Sequence, residues 1–182
     1  MKGRPPYLHN HDTLELPERP IILMTRTSVL FVCMGNICRS PLAEGVFIHL
    51  AEMKGVADQL TVDSAGTGGW HAGNAPDRRS VAVARKHGID ISRQRARQVS
   101  QADFETFDLI LAMDTSNLAK LLQKAPENQK HKIHLFMDYA SGRRDSVPDP
   151  YFGGEDGFQA VYNMLLAGCS SLLEKMELDR AS

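Results

Sequence analysis

At 182 residues the chain has the length of one compact domain with a substantial core, and its apolar content of 42% is ordinary for a globular protein. A formal net charge of −1 gives no basis for a nucleic-acid partner, and no apolar run approaches the ~20 residues of a membrane span. Three Cys without paired spacing and seven scattered His form neither a disulfide framework nor a metal-ligand pattern, which fits a reducing, cytoplasmic setting with no metal and no cofactor.

In chain order, residues 1–26 differ from the remainder. They hold Pro5, Pro6, Pro17 and Pro20 with His9, Asn10 and His11, show no periodicity, and lack the long apolar core of a secretory signal. They are expected to form a disordered or loosely docked extension ahead of one domain over 27–178, and Met24 offers an alternative start. Ser28-Val29-Leu30-Phe31-Val32 reads as a short buried strand. Leu42, Ala43, Val46, Phe47 and Leu50 then recur at helical spacing through Met53. A second strand is expected over 60–65, followed over 66–76 by a Gly-rich loop that carries the only Trp, Trp70. A helix over 77–87 ends at Gly88. A third buried strand spans 108–113, a helix over 115–123 follows Asp114, and a short fourth strand spans 132–136. Residues 137–154, with Pro148, Pro150 and paired Gly, are expected as a long irregular loop. A final amphipathic helix over 157–177 places Phe158, Val161, Leu165, Cys169, Leu172 and Met176 on one face. This alternation implies an α/β fold: a single three-layer domain, with a four-stranded parallel sheet flanked by helices on both faces. Ligands of such sheets bind beyond the carboxyl ends of the strands.

The densest chemistry lies at such an end, in Cys33-Met34-Gly35-Asn36-Ile37-Cys38-Arg39. A free Cys closing a buried strand is commonly a small core hydrophobe. Here Gly35 permits close backbone approach, Ser40 suits an N-cap, and Pro41 suits the first helical position, so the loop reads as an open, amide-lined turn. Helix N-termini attract anions, the Arg39 fork matches phosphate oxygens, and the same field favours a thiolate nucleophile. One short loop thus supplies a phosphate cradle and an attacking atom. Asp149 between two prolines is ordinarily a turn residue, His87 before Gly88 a C-cap cation, Ser64 a strand end, and Trp70 a loop lid. His71, His131 and His134 read as surface residues.

The string Val29-Leu-Phe-Val-Cys33-Met-Gly-Asn-Ile-Cys38-Arg39-Ser40-Pro41-Leu-Ala-Glu44 resembles the opening of the low-molecular-weight protein tyrosine phosphatases. The likeness continues through Asp63-Ser64-Ala65-Gly66, Ala75-Pro76-Asp77, His87-Gly88-Ile89, Ala96-Arg97-Gln98-Val99, Ala112-Met113-Asp114 and Asp149-Pro150-Tyr151, covering about residues 28–176. The resemblance implies hydrolysis of phosphotyrosine in protein substrates through a phosphocysteine intermediate, by a monomer or weak dimer. Cys33 would be the nucleophile, Arg39 the phosphate ligand, and Asp149 the general acid and then base. The loop from Met34 through Gly35, Asn36, Ile37 and Cys38 would cradle the phosphate, and Ser40 would donate to the thiolate. Asn36, helped by Ser64 and His87, would hold the loop shape, while Trp70 and Tyr151 would wall the substrate cleft. Cys38 would form a reversible disulfide with Cys33 that protects the thiolate from over-oxidation. Turnover is expected at mildly acidic pH.

The chain also departs from the family. Where some members carry two adjacent Tyr as regulatory phosphorylation targets, this chain has Tyr151 followed by Phe152, leaving a single candidate. An arsenate reductase of the same fold would need two further Cys as a disulfide relay, and none stands between Cys38 and Cys169. A protein arginine phosphatase of the related family carries Thr where Ile37 stands. An inactive phosphate-binding module would lack Cys33, Arg39 or Asp149, and all three are present.

Overall fold

The structure, a computed structural model, describes residues 26–181. The expected extension over 1–26 and the alternative start at Met24 lie, apart from Arg26, outside the described residues. Four strands, β1 (Thr27–Cys33), β2 (Leu60–Gly66), β3 (Leu109–Ala112) and β4 (Ile133–Leu135), form one sheet in the order β2-β1-β3-β4, with every pair parallel. The helices are α1 (Arg39–Met53), α2 (Arg78–Lys86), α3 (Gln101–Thr106), α4 (Thr115–Lys124), α5 (Phe136–Ser141) and α6 (Glu155–Ala181).

Alternation along β1 builds the three layers. Val29 and Phe31 face one side, where Phe47 of α1, Phe136 of α5 and Leu165 of α6 pack against them. Phe31 meets both aromatic rings edge-on, with centroids 5.6 Å apart in each case. Leu30 and Val32 face the other side, against Phe104 of α3 and Leu121 of α4. Both faces of β1 are thus fully covered, as its unbroken apolar run requires.

The structure departs from the sequence reading in four places. α1 begins at Arg39 with Cys38 at its N-cap, so Ser40 lies inside the helix and its hydroxyl points to Cys33 and Ala65 instead of capping. The start of the long loop over 137–154 is helical, because Phe136, Met137 and Ala140 are buried and Gly142, at φ 70°, ends the turn. α3 falls where the sequence shows no helical repeat, and Ser100 and Asp103 form a reciprocal capping box at its start. α6 also begins two residues early, at Glu155.

The strand order reverses direction at β1, whose neighbours β2 and β3 lie on opposite sides. The carboxyl end of β1 is therefore the switch point at which open parallel sheets bind ligands, and it ends in Cys33.

Candidate active site

The loop leaving β1 is shaped from behind. Asn36 is buried and takes φ 56°, a left-handed conformation that its short polar side chain tolerates. Both amide hydrogens are used, since Nδ2 donates to Ser40 Oγ at 2.9 Å and to Ser64 Oγ at 2.9 Å. Its Oδ1 accepts from the Arg97 backbone at 2.9 Å. Ser64 Oγ in turn donates to Glu44 Oε2 at 2.6 Å. Because Ser40 Oγ already accepts from Asn36, its proton is available to Cys33 Sγ, 3.1 Å away, or to the Ala65 carbonyl at 3.2 Å. The Asn36 backbone N–H also points at Cys33 Sγ from 3.3 Å. The loop is fastened to the exit of β2 by Thr67 N to Cys33 O and Gly68 N to Met34 O. Gly66 is needed at that junction, because a Cβ there would stand 2.8 Å from Met34 O.

Two thiol and carboxyl environments stand out. Burial pushes the Glu44 carboxyl up to about 7, with Asp63 adding to the shift, while the Ser64 hydrogen bond and the Arg97 charge oppose it. Burial also pushes the Cys38 thiol up to about 12, helped by the acidic neighbours Asp77, Cys33 and Asp149, so Cys38 is a neutral thiol. His87 is not part of the Asn36 network. It is exposed and stacks on Tyr162 with ring centroids 4.0 Å apart, and Glu44 occupies the supporting position expected of it. The reason is that Gly88, at φ 77°, ends α2 and leaves His87 at the helix end facing α6.

Arg39 is buried at 1% exposure, and its charge is held by two carboxylates. Nη1 meets Asp114 Oδ2 at 2.6 Å and the Val147 carbonyl at 3.0 Å, and Nη2 meets Asp149 Oδ2 at 3.0 Å. Nε has no partner among the described residues. Asp114 caps α4 by accepting from Asn117 N, so the same carboxylate is fixed from both sides. The sequence marks Asp114 as a helix start and as part of the family-like Ala112-Met113-Asp114 string, but its pairing with Arg39 emerges only when β3 is set beside β1.

Cys33, Arg39 and Asp149 line a cleft of about 200 Å³ together with Met34, Gly35, Ile37 and Cys38. Its walls are Trp70, Tyr151, Phe152 and His71. Trp70 lies over Gly68, whose lack of a side chain makes room for the ring. Tyr151 and Phe152 meet edge-on, and Phe152 is 98% exposed. His71 is half-buried and sits beside Gly35, so it belongs to the cleft wall and not to the open surface. Asn36 and Ser40 stand behind the cradle and do not line the cleft. A thiol at the base, a guanidinium beside it and a half-exposed carboxyl at the mouth form a set able to bind an oxyanion, attack it and move one proton.

Comparison with known proteins bears on this arrangement. The sequence profile described as low molecular weight phosphotyrosine protein phosphatase matches residues 28–182. The chain is 46% identical over 150 residues to the low molecular weight phosphotyrosine protein phosphatase of Schizosaccharomyces pombe, covering 81% of this chain and 96% of that one. A crystal structure of a protein tyrosine phosphatase from Entamoeba histolytica superposes with a TM-score of 0.80 at 39% identity, covering 85% of this chain and 99% of that one. YfkJ from Bacillus subtilis superposes with a TM-score of 0.79 at 41% identity, covering 85% and 96%.

Proposed function

The chain belongs to the low molecular weight phosphotyrosine protein phosphatase family, and we propose that Cys33, Arg39 and Asp149 carry its hydrolysis of phosphotyrosine. The observation that carries this reading is the convergence of the three side chains in one cleft, with Arg39 reaching Asp149 at 3.0 Å.

In the first step the Cys33 thiolate attacks phosphorus. The S–P bond forms, the P–O bond to the aryl group breaks, and the Asp149 carboxyl gives its proton to the leaving phenolate. Arg39 binds two equatorial oxygens, with its unpartnered Nε available as one of the donors. In the second step the Asp149 carboxylate takes a proton from water, the water oxygen attacks phosphorus, and the S–P bond breaks to release inorganic phosphate. Ser40 Oγ, 3.1 Å from Sγ, donates to the thiolate as it leaves. Asp114 keeps Arg39 aligned throughout, since it stands on the rigid start of α4.

The aromatic walls Trp70 and Tyr151 suit the flat ring of phosphotyrosine. Asn36, Ser64 and Glu44 hold the loop. Cys38 is the resolving thiol for Cys33: peroxide oxidises the thiolate to a sulfenic acid, which condenses with Cys38 to a disulfide and water. We read the chain as a cytoplasmic monomer or weak dimer. The three described thiols are free and buried, and among the described residues no helix is long and apolar enough to cross a membrane.

The test is release of p-nitrophenol from p-nitrophenyl phosphate at mildly acidic pH by the reduced chain, beside Cys33→Ser and Asp149→Ala. The expected result is turnover by the native chain, none by Cys33→Ser, and strong slowing by Asp149→Ala. Full activity in Cys33→Ser would overturn the assignment of the nucleophile.

A further inference from the structure

The segment that carries Asp149 is anchored on two sides. Upstream, Val147 is buried, its N–H donates to the Met113 carbonyl at 2.8 Å, and its own carbonyl accepts from Arg39. Downstream, the backbone over 151–153 is gripped by one side chain that the reaction above does not use. Arg79 Nη2 donates to the Tyr151 carbonyl at 3.1 Å and Nη1 donates to the Gly153 carbonyl at 3.0 Å.

The other half of the same guanidinium is fixed to the body of the protein. Nε and Nη2 form a fork on Asp77 at 3.0 and 2.8 Å, and the group lies 4.4 Å from the centroid of the Phe158 ring. Asp77 is the N-cap of α2, and its own N–H donates to the Ile37 carbonyl of the phosphate loop at 2.7 Å. A continuous path therefore runs from the phosphate loop through Asp77 and Arg79 to the backbone two residues beyond Asp149. The Asp149 carboxyl lies between these anchors, with Tyr151 N donating to its Oδ1 at 3.2 Å.

We propose that Arg79 is a positioning residue for proton transfer: it clips the Asp149 segment to the start of α2 and so sets the height of the carboxyl above the phosphate loop. The proposal rests on the reading of Asp149 as general acid. Arg79 itself lines no part of the cleft. The Arg79 side chain is one-third exposed, and Asp77 keeps its own bond to the Arg79 backbone N–H as the cap of α2, so loss of the guanidinium leaves the fold standing. What changes is the distance of the acid from the leaving oxygen, to which proton transfer is steeply sensitive. Only a Arg-type planar fork reaches Asp77 and two carbonyls at once; a Lys ammonium cannot.

The experiment compares kcat/KM for phenyl phosphate, whose leaving group needs a proton, and 2,4-dinitrophenyl phosphate, whose leaving group does not. The full chain, Arg79→Met, Arg79→Lys and Asp149→Ala are measured, with Arg79→Met also made on Asp149→Ala. Arg79→Met is expected to lower kcat/KM for phenyl phosphate roughly tenfold, within the span of general acid catalysis. It should leave 2,4-dinitrophenyl phosphate and the melting temperature almost unchanged, and Arg79→Lys should recover only part of the loss. On Asp149→Ala the Arg79 change should add nothing further. Equal losses on both esters, no loss on either, or a full additional loss on Asp149→Ala would overturn the proposal alone. Undiminished phenyl phosphate hydrolysis by Asp149→Ala would instead overturn the acid assignment beneath it.

Discussion

Glu44→Gln isolates the cost of placing a carboxyl behind the phosphate loop. In the native chain Glu44 titrates at about 7 against an ordinary 4.5, chiefly because burial disfavours the charged form. The unfolded chain releases this proton near the ordinary value, whereas the folded chain holds it until about neutral pH. Glu44's contribution to stability is therefore full below 4.5 and is lost as pH rises through about 7. At about 1.4 kcal/mol per pH unit, the displacement amounts to about 3 kcal/mol. Gln has the same shape, its oxygen can still accept from Ser64 Oγ, and it never ionises. Urea unfolding of both chains at pH 5 and pH 8 measures the effect. The variant should match the native chain to within about 1 kcal/mol at pH 5, where the site is neutral in both folded proteins. At pH 8 it should be the more stable by about 3 kcal/mol. A stability difference that stays constant between the two pH values would refute the reasoning, since it would mean that Glu44 ionises at its ordinary value in the fold.

Asn36→Ala removes three side-chain hydrogen bonds and leaves an Ala at φ 56°, so a loss of about 3 kcal/mol by denaturant unfolding and a fall of roughly 100-fold in kcat/KM are expected. Asp114→Ala strips a buried guanidinium of its shortest partner and uncaps α4; thermal and urea unfolding should register about 3 kcal/mol of destabilisation, with a rise in the inhibition constant of inorganic phosphate as Arg39 loses alignment. Cys38→Ser should retain turnover but lose recoverable activity after a peroxide pulse followed by dithiothreitol, whereas the native chain should regain most of its rate.

The parts of the fold most legible in the sequence were those where local pattern and tertiary environment agree. β1 reads as buried on both faces because Val29 to Val32 are all apolar, and the fold covers both faces. α2 reads from Asp77 to Gly88 because an N-cap carboxylate and a left-handed glycine bracket it. α5 was illegible because six residues carry no helical repeat; burial of Phe136 and Met137 stabilises it. His87 was assigned to the loop by family resemblance, and its stacking on Tyr162 of α6 is a contact between distant segments that no local pattern encodes. His71 likewise read as a surface residue because its approach to Gly35 depends on how the 66–76 loop folds back.

The sequence by itself determined the layer architecture, the place of the reactive loop and the type of chemistry. Strand alternation, the Cys33-to-Arg39 spacing and the Ser40-Pro41 helix start are short-range features, written in adjacent residues. Only the tertiary structure decided which charges meet. Asp114 and Asp149 are separated by 75 and 110 positions from Arg39, yet both reach its guanidinium, and Arg79 reaches the backbone 72 and 74 positions away. The physical reason is that a buried cation must be compensated by whatever carboxylates the packed sheet and its loops bring within hydrogen-bond distance, and that proximity exists only once the chain has folded.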